Sequence, residues 1–308
     1  MPETEEFIQS SVRFPALDGY TLGGNLFEPS RSRDFATAVV LSSGGGILAA
    51  KYARFASFLA ARGIPVLTYD YRGIGDSRPH KLRGFRAVAE DWSELDCAGA
   101  IAHLRRSYAN ATLVAVAHSI GALITGGAPN VAEIGRYVFI CPHTGYYRDY
   151  LLKYQLPMAG LWHGVMPALT RVFGYFPARH LRLGEDIPAG IALQWAARHS
   201  PEFLPEATAQ DASRARAMMA RYKSVNGPAL AVGFRDDAFA TVRGMRRLLA
   251  SFPNLRAEMM VISPKDVHMR SIGHFGFFRR EAAVAIWPRV FPFIDIARQT
   301  RPTAERPA

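Results

Sequence analysis

Val116-Ala117-His118-Ser119-Ile120-Gly121-Ala122 sets a serine between small residues two positions to either side, where Thr112–Val116, read as a buried strand, ends. That spacing suits a sharp strand-to-helix turn, which lifts the serine Oγ above a sheet and tolerates only small neighbours. A helix opening near Gly121 would aim its first amides at the same point, where negative charge is favoured. The chemistry would be nucleophilic attack on a carbonyl carbon. The plainer alternative is that Ser119 caps an ordinary helix, and the tripeptide Ser-Ile-Gly does recur at Ser271–Gly273 without a strand leading into it. A serine nucleophile needs a base to take its proton and a carboxylate to hold that base. Asp236 and Asp237 follow the strand-like run Ala229–Val232, and His268 and His274 follow Met259–Ile262, so both kinds of partner occur later in the chain.

Such residues meet only if the strands before them end on one edge of a sheet. The run Phe7–Pro29 reads as a strand pair around Asp18-Gly19. Strands are then expected at Ala36–Leu41, Ile64–Tyr69, Thr112–Val116, Tyr137–Ile140, Ala229–Val232 and Met259–Ile262. Helical patterns cover Tyr52–Arg62, Ala89–Arg106 and Val242–Phe252, with a last one, Arg279–Ile296, broken at Pro288 and Pro292. Apolar strands separated by helices imply an α/β fold, a mostly parallel sheet covered on both faces. From His143 to Asn226 the pattern is helical, aromatic and proline-punctuated. The reading is a core of residues 1–142 and 227–297, a helical cap insertion over 143–226, and a disordered tail at 298–308.

With these residues in view, the chain resembles the α/β-hydrolase superfamily, and more narrowly a family of bacterial predicted α/β hydrolases whose substrates are poorly defined. The resemblance covers nearly the whole chain. It rests on Tyr69-Asp70-Tyr71-Arg72-Gly73-Ile74-Gly75-Asp76-Ser77 and Ala117-His118-Ser119-Ile120-Gly121, on Gly174-Tyr175-Phe176-Pro177 with Gly184-Glu185-Asp186-Ile187-Pro188-Ala189-Gly190, and on Ile272-Gly273-His274-Phe275-Gly276-Phe277-Phe278. It implies a Ser-Asp-His hydrolase with a helical cap. The acid loop of relatives often ends Asp-x-x-x-Pro; Asp237 stands four before Thr241, which makes it the expected acid ahead of Asp236. Gly-His-aromatic resembles the superfamily's base and favours His274 over His268. The oxyanion hole would combine the Ile120 N–H with one from Ser42-Ser43-Gly44-Gly45-Gly46-Ile47, by position Ile47, with Gly46 the alternative. Asp70–Ser77 would be a structural turn.

The expected reaction is cleavage of an ester or thioester with a small to medium acyl or aromatic group, through an acyl-enzyme on Ser119. An acyltransferase using the same intermediate, or a binding protein on the same scaffold, are the alternatives. Of the remaining histidines, His118 is expected to orient or pack, and His143, His163, His180 and His199 to pack or lie on the surface unless substrate reaches them. No H-E-x-x-H pattern occurs, the cysteines are only Cys97 and Cys141, and neither Gly44–Gly46 nor Gly73–Gly75 completes a phosphate-binding fingerprint. No cofactor or metal is therefore expected. The net charge, 37 − 26 = +11, is carried mostly by scattered arginines, which argues against nucleic acid and leaves a field able to attract anionic small-molecule substrates. An acidic start at Glu3, Glu5 and Glu6 and the lack of a long apolar run lead to the expectation of a cytoplasmic protein without a membrane span.

Overall fold

Gly19 takes a φ of 83° at the expected turn, and β1 (Phe7–Pro15) and β2 (Thr21–Pro29) pair antiparallel around it. The computed structural model describes residues 6–30, 35–198, 200 and 209–296; the tail expected at 298–308 and His199 lie outside them. The sheet continues with β3 (Thr37–Ser42), β4 (Val66–Tyr69), β5 (Thr112–His118) and β6 (Ile134–Ile140). A small antiparallel pair follows, β7 (Tyr175–Phe176) with β8 (Ile187–Pro188), before β9 (Gly227–Phe234) and β10 (Leu255–Ile262) rejoin the main sheet. The eight strands lie in the order β1-β2-β4-β3-β5-β6-β9-β10, and every pairing from β4 onward is parallel.

Every residue of β3 and β4 is buried, because apolar layers cover both faces of the sheet. Phe14, Trp92, Leu104, Phe139 and Phe252 pack in one layer, and Phe55, Val116, Trp287 and Phe291 in the other. Parallel strands in one sheet end on a common edge. The loops after β3, β5, β6, β9 and β10 therefore converge where open α/β sheets bind ligands.

Several bounds differ from the sequence reading, those of β6, β10 and the last helix most. β6 and β10 start earlier than Tyr137 and Met259, because Gly135, Arg256 and Glu258 are exposed or polar and break the apolar run. The break expected at Pro292 does not occur. Trp287–Ile294 runs through it, with Trp287, Val290, Phe291 and Ile294 buried, so packing outweighs the one missing N–H. Pro288 sits in that helix's first turn, where proline is tolerated.

Between β6 and β9 the chain is mainly helical. Leu152–Gly160, a π-helical turn at Leu161–Val165 and Met166–Phe173 follow one another without a loop, ending at Gly174 in the left-handed conformation with a φ of 77°. Ala189–Ala196 packs against this rod through Met166, Phe176 and Ala192. Arg214, on the helix Ala209–Arg221, pairs with Asp91 and Glu94 and fastens the segment to the sheet's covering helices.

Candidate functional site

Ser119 follows the last residue of β5 and takes a φ of 59°, a left-handed conformation that a non-glycine residue holds only under constraint. Its N–H is tied to the Ile140 carbonyl at 2.9 Å. A Cβ at Gly121 would stand 2.6 Å from the Ser43 carbonyl oxygen, so the turn needs the glycine that the motif supplies. The Ser119 hydroxyl does not cap the helix Gly121–Gly126, whose N-cap position is Ile120. It meets Nε2 of His143 at 2.9 Å instead.

Asp237 is buried after β9 and accepts hydrogen bonds at Oδ1 from the Phe239 and Ala240 N–H groups. Its Oδ2 accepts from Nδ1 of His274 at 2.8 Å. Burial alone would raise this carboxyl, but the His274 bond and charge, with the backbone donors, hold it well below the usual carboxylate range. Asp236, its exposed neighbour, accepts from the Ile272 N–H at 2.8 Å and so anchors the loop that carries His274. His268 is exposed at the end of the short helix Pro264–Val267 and has no contact with these groups. The His143 and His274 rings lie at 5.2 Å, centroid to centroid.

His118 is fully buried behind the serine. Its Nε2 lies 3.1 Å from the His274 carbonyl oxygen, which can only accept, so Nε2 carries the proton. Nδ1 then accepts from the Tyr52 hydroxyl at 3.0 Å, and that hydroxyl accepts from the Gly44 N–H at 2.9 Å. Burial, with His274 close by, keeps His118 well below the ordinary imidazole range and therefore neutral. The atoms of His118, Cys141 and His274 lie within 4.8 Å of one another, yet they make no metal ligand set, because both His118 nitrogens are already engaged.

The glycine loop after β3 departs from expectation. The Ile47 N–H turns back to the Gly44 carbonyl at 3.2 Å, so Ile47 is not a free donor. Gly46 has a φ of 68°, and a Cβ there would meet Glu185 and Ile187. Gly45 abuts Ile120: a Cβ there would stand 2.7 Å from the Ile120 Cδ1. Among the described residues, neither the Gly45 N–H nor the Ile120 N–H has an acceptor. Above these groups opens a cavity of about 240 Å³, walled by Trp92, Met158, Trp162, Met166, Ile191 and Phe239. Its outer wall is the inner side of the long helical rod.

The profile of the serine aminopeptidase S33 family matches residues 34–263, a span that includes Ser119 and Asp237. The chain belongs to that family. Solved structures place this S33-family chain among the α/β hydrolases by fold. An esterase of Pyrococcus furiosus superposes with a TM-score of 0.58 at 16% identity, covering 94% of this chain and 92% of that one. The α/β hydrolase GrgF from a Penicillium species gives a TM-score of 0.52 at 19% identity over 93% and 98% of the two chains. An acylaminoacyl peptidase of Pyrococcus horikoshii gives 0.56 at 14%, over 99% of this chain but 43% of that one. No curated protein sequence matches the chain. Among the described residues, no helix is long and apolar enough to cross a membrane.

The sequence leads to the expectation that His143 packs or lies on the surface, whereas the structure puts it on the serine oxygen. The signal was its place: it follows β6, so it ends on the same edge as the other loops. In the sequence Tyr52 marks only the start of a helical pattern, and its bond to His118 comes from packing that no local pattern encodes. The Asp70 turn is structural in detail. Asp70 accepts from the Ala49 and Asp76 N–H groups, and Ser77 donates to the Asp70 carbonyl.

Proposed function

We propose that this S33-family chain is a serine hydrolase that cleaves esters or thioesters carrying an apolar acyl group. The observation that carries the reading is the strained Ser119, its Oγ at the floor of an apolar cavity beside the Asp237–His274 pair. Ser119 Oγ attacks the carbonyl carbon while Nε2 of His274 takes its proton. Asp237 fixes the His274 tautomer by binding Nδ1–H and stabilises the imidazolium that forms. The N–H groups of Ile120 and Gly45, rather than Ile47, receive the oxyanion. Collapse of the tetrahedral species expels the alcohol or thiol, which takes its proton from His274, and water then releases the acid by the same route. Residues 143–226 act as a cap that walls the acyl site, with core segments 1–142 and 227–297 beneath it. The described lining residues include no carboxylate to receive a peptide's α-ammonium group, which favours an ester over an aminopeptide.

The test is turnover of p-nitrophenyl esters of rising chain length, paired with labelling by a fluorophosphonate probe. Wild-type protein is expected to label on Ser119 and to prefer acyl chains that fill the cavity. Ser119→Ala is expected to lose both properties. Esterase activity that survives in Ser119→Ala overturns the assignment.

A further inference from the structure

The Ser119 oxygen is held by an imidazole to which the hydrolytic cycle assigns no step. His143 is 5% exposed and lies in the loop after β6, its Nε2 at 2.9 Å from the serine Oγ. The Gly145 N–H points at its Nδ1 at 2.9 Å. Gly145 reaches that position with a φ of 75°, and a Cβ there would collide with the Trp195 ring at 2.6 Å, so the loop is closely fitted. An N–H can only donate, so Nδ1 of His143 is the bare nitrogen and Nε2 bears the hydrogen. His143 therefore presents a donor to Ser119. Nε2, whose lone pair then belongs to the ring's π system, cannot take the serine proton, and a proton added at Nδ1 instead would leave the ring cationic. Burial, followed by the nearby His274, pushes His143 down to about 3 and opposes that charge. His274, Asp237 and Arg198 are the titratable or charged groups that act on it, and the Tyr150 ring packs against it at 5.8 Å.

A hydroxyl has one hydrogen and two lone pairs. With one lone pair taken by the His143 N–H, the Ser119 hydrogen is free to point elsewhere; Asp237 engages only Nδ1 of the neighbouring His274 and leaves its Nε2 to receive that hydrogen as the reaction begins. We propose that His143 is a positioning residue, a donor of fixed tautomer that holds the Ser119 oxygen so that its proton is delivered to His274. The proposal rests on the serine-hydrolase reading above. The two rings then have opposite roles: His143 donates to Oγ in the structure, and His274 accepts from it in the proposed reaction. The same His143 N–H remains beside Oγ when that oxygen leaves the acyl group during deacylation.

The chemistry of the side chain dictates the experiment. Gln at 143 reaches the place of the imidazole Nε2 with an amide N–H, whereas Asn ends near the place of Nδ1 and offers Oγ nothing. His143→Asn and His143→Leu are expected to lose roughly tenfold to a hundredfold in kcat/KM for p-nitrophenyl butyrate, carried by kcat with KM little changed. His143→Gln is expected to recover most of that loss. Second-order labelling by a fluorophosphonate should follow the same order. The acidic limb of the pH–rate profile should stay in place in His143→Gln. Equal rates in Gln and Asn variants of matched melting temperature overturn the proposal, as does an unchanged rate in His143→Leu. Displacement of the acidic limb in His143→Gln would make His143 the base and also overturn it. A wild-type Ser119 that resists the probe altogether is a different result and overturns the hydrolase reading itself.

Discussion

Burial opposes charge on Asp237, yet its hydrogen bonds from Phe239, Ala240 and His274 keep it ionised far below neutral pH. That environment makes the carboxylate suited to holding an imidazolium, and it separates Asp237 from Asp236 next to it. Asp237→Asn is expected to lower kcat by roughly a thousandfold or more, because Asn can hold His274 in the wrong tautomer. Asp236→Asn, whose side chain only accepts from the Ile272 N–H at an exposed site, is expected to cost less than about tenfold. Steady-state kinetics on the two variants checks the pair. Ser119, Asp237 and His274 were legible in the sequence because each follows an apolar strand run, and strand ends are what periodicity marks. The places that Gly45 and His143 take in the proposed site were not legible. The one depends on the Ile47 N–H having turned back to Gly44, the other on a tautomer set by Gly145, and neither bond has a local signature.

At the scale of elements, the turn Asp70–Ser77 braces the glycine loop. Asp70 Oδ1 accepts the Ala49 N–H at 2.7 Å, just after that loop, and the Ser77 hydroxyl accepts the Gly23 N–H from β2 at 2.8 Å. Gly75 has a φ of 46°, and a Cβ there would lie 2.1 Å from Asp70 Oδ2. Gly84 also has a positive φ, 83°, but a Cβ there meets nothing within 4 Å. Gly84→Ala is expected to cost about 1–2 kcal/mol, the left-handed penalty alone. Gly75→Ala should cost clearly more and should also lower the rate of Ser119 labelling, since it displaces the brace. Urea unfolding with probe kinetics on both variants checks this. The sequence showed the order of elements well, because β3, β4 and β5 are apolar throughout. It marked the starts of β6 and β10 poorly, because Gly135 and the charged Arg256 and Glu258 interrupt the apolar run there. Pro292 misled for a related reason: helix breaking is a local rule, and the burial of Phe291 and Ile294 is not local.

Over the whole molecule, the excess of arginine is partly absorbed into structure. Arg72 pairs with Asp18 and Asp96, Arg214 with Asp91 and Glu94, Arg221 with Glu94, and Arg243 and Arg247 with Asp149. Protonation equilibria follow from the buried histidines. His118 and His143 are neutral in the fold, whereas an unfolded chain protonates histidine near pH 6.5. Below that pH the unfolded state binds more protons, so stability falls with pH, for His143 until its folded value of about 3 is reached. Asp237, with its lowered folded value, adds a loss in the same direction once the pH drops through the ordinary carboxylate range. The urea midpoint is therefore expected to decline from about pH 6.5 to about pH 4, and His143→Gln should flatten that decline.

The buried chain from the Gly44 amide through Tyr52 and His118 to the His274 carbonyl joins two loops that are distant in sequence. Tyr52 and His118 are fully buried, so opening one end of the chain strands the other. The Gly44 amide should then exchange its hydrogen with solvent only when the His274 loop lifts, and slowly. His118→Phe would uncouple the two, leaving that amide to exchange on the clock of its own loop.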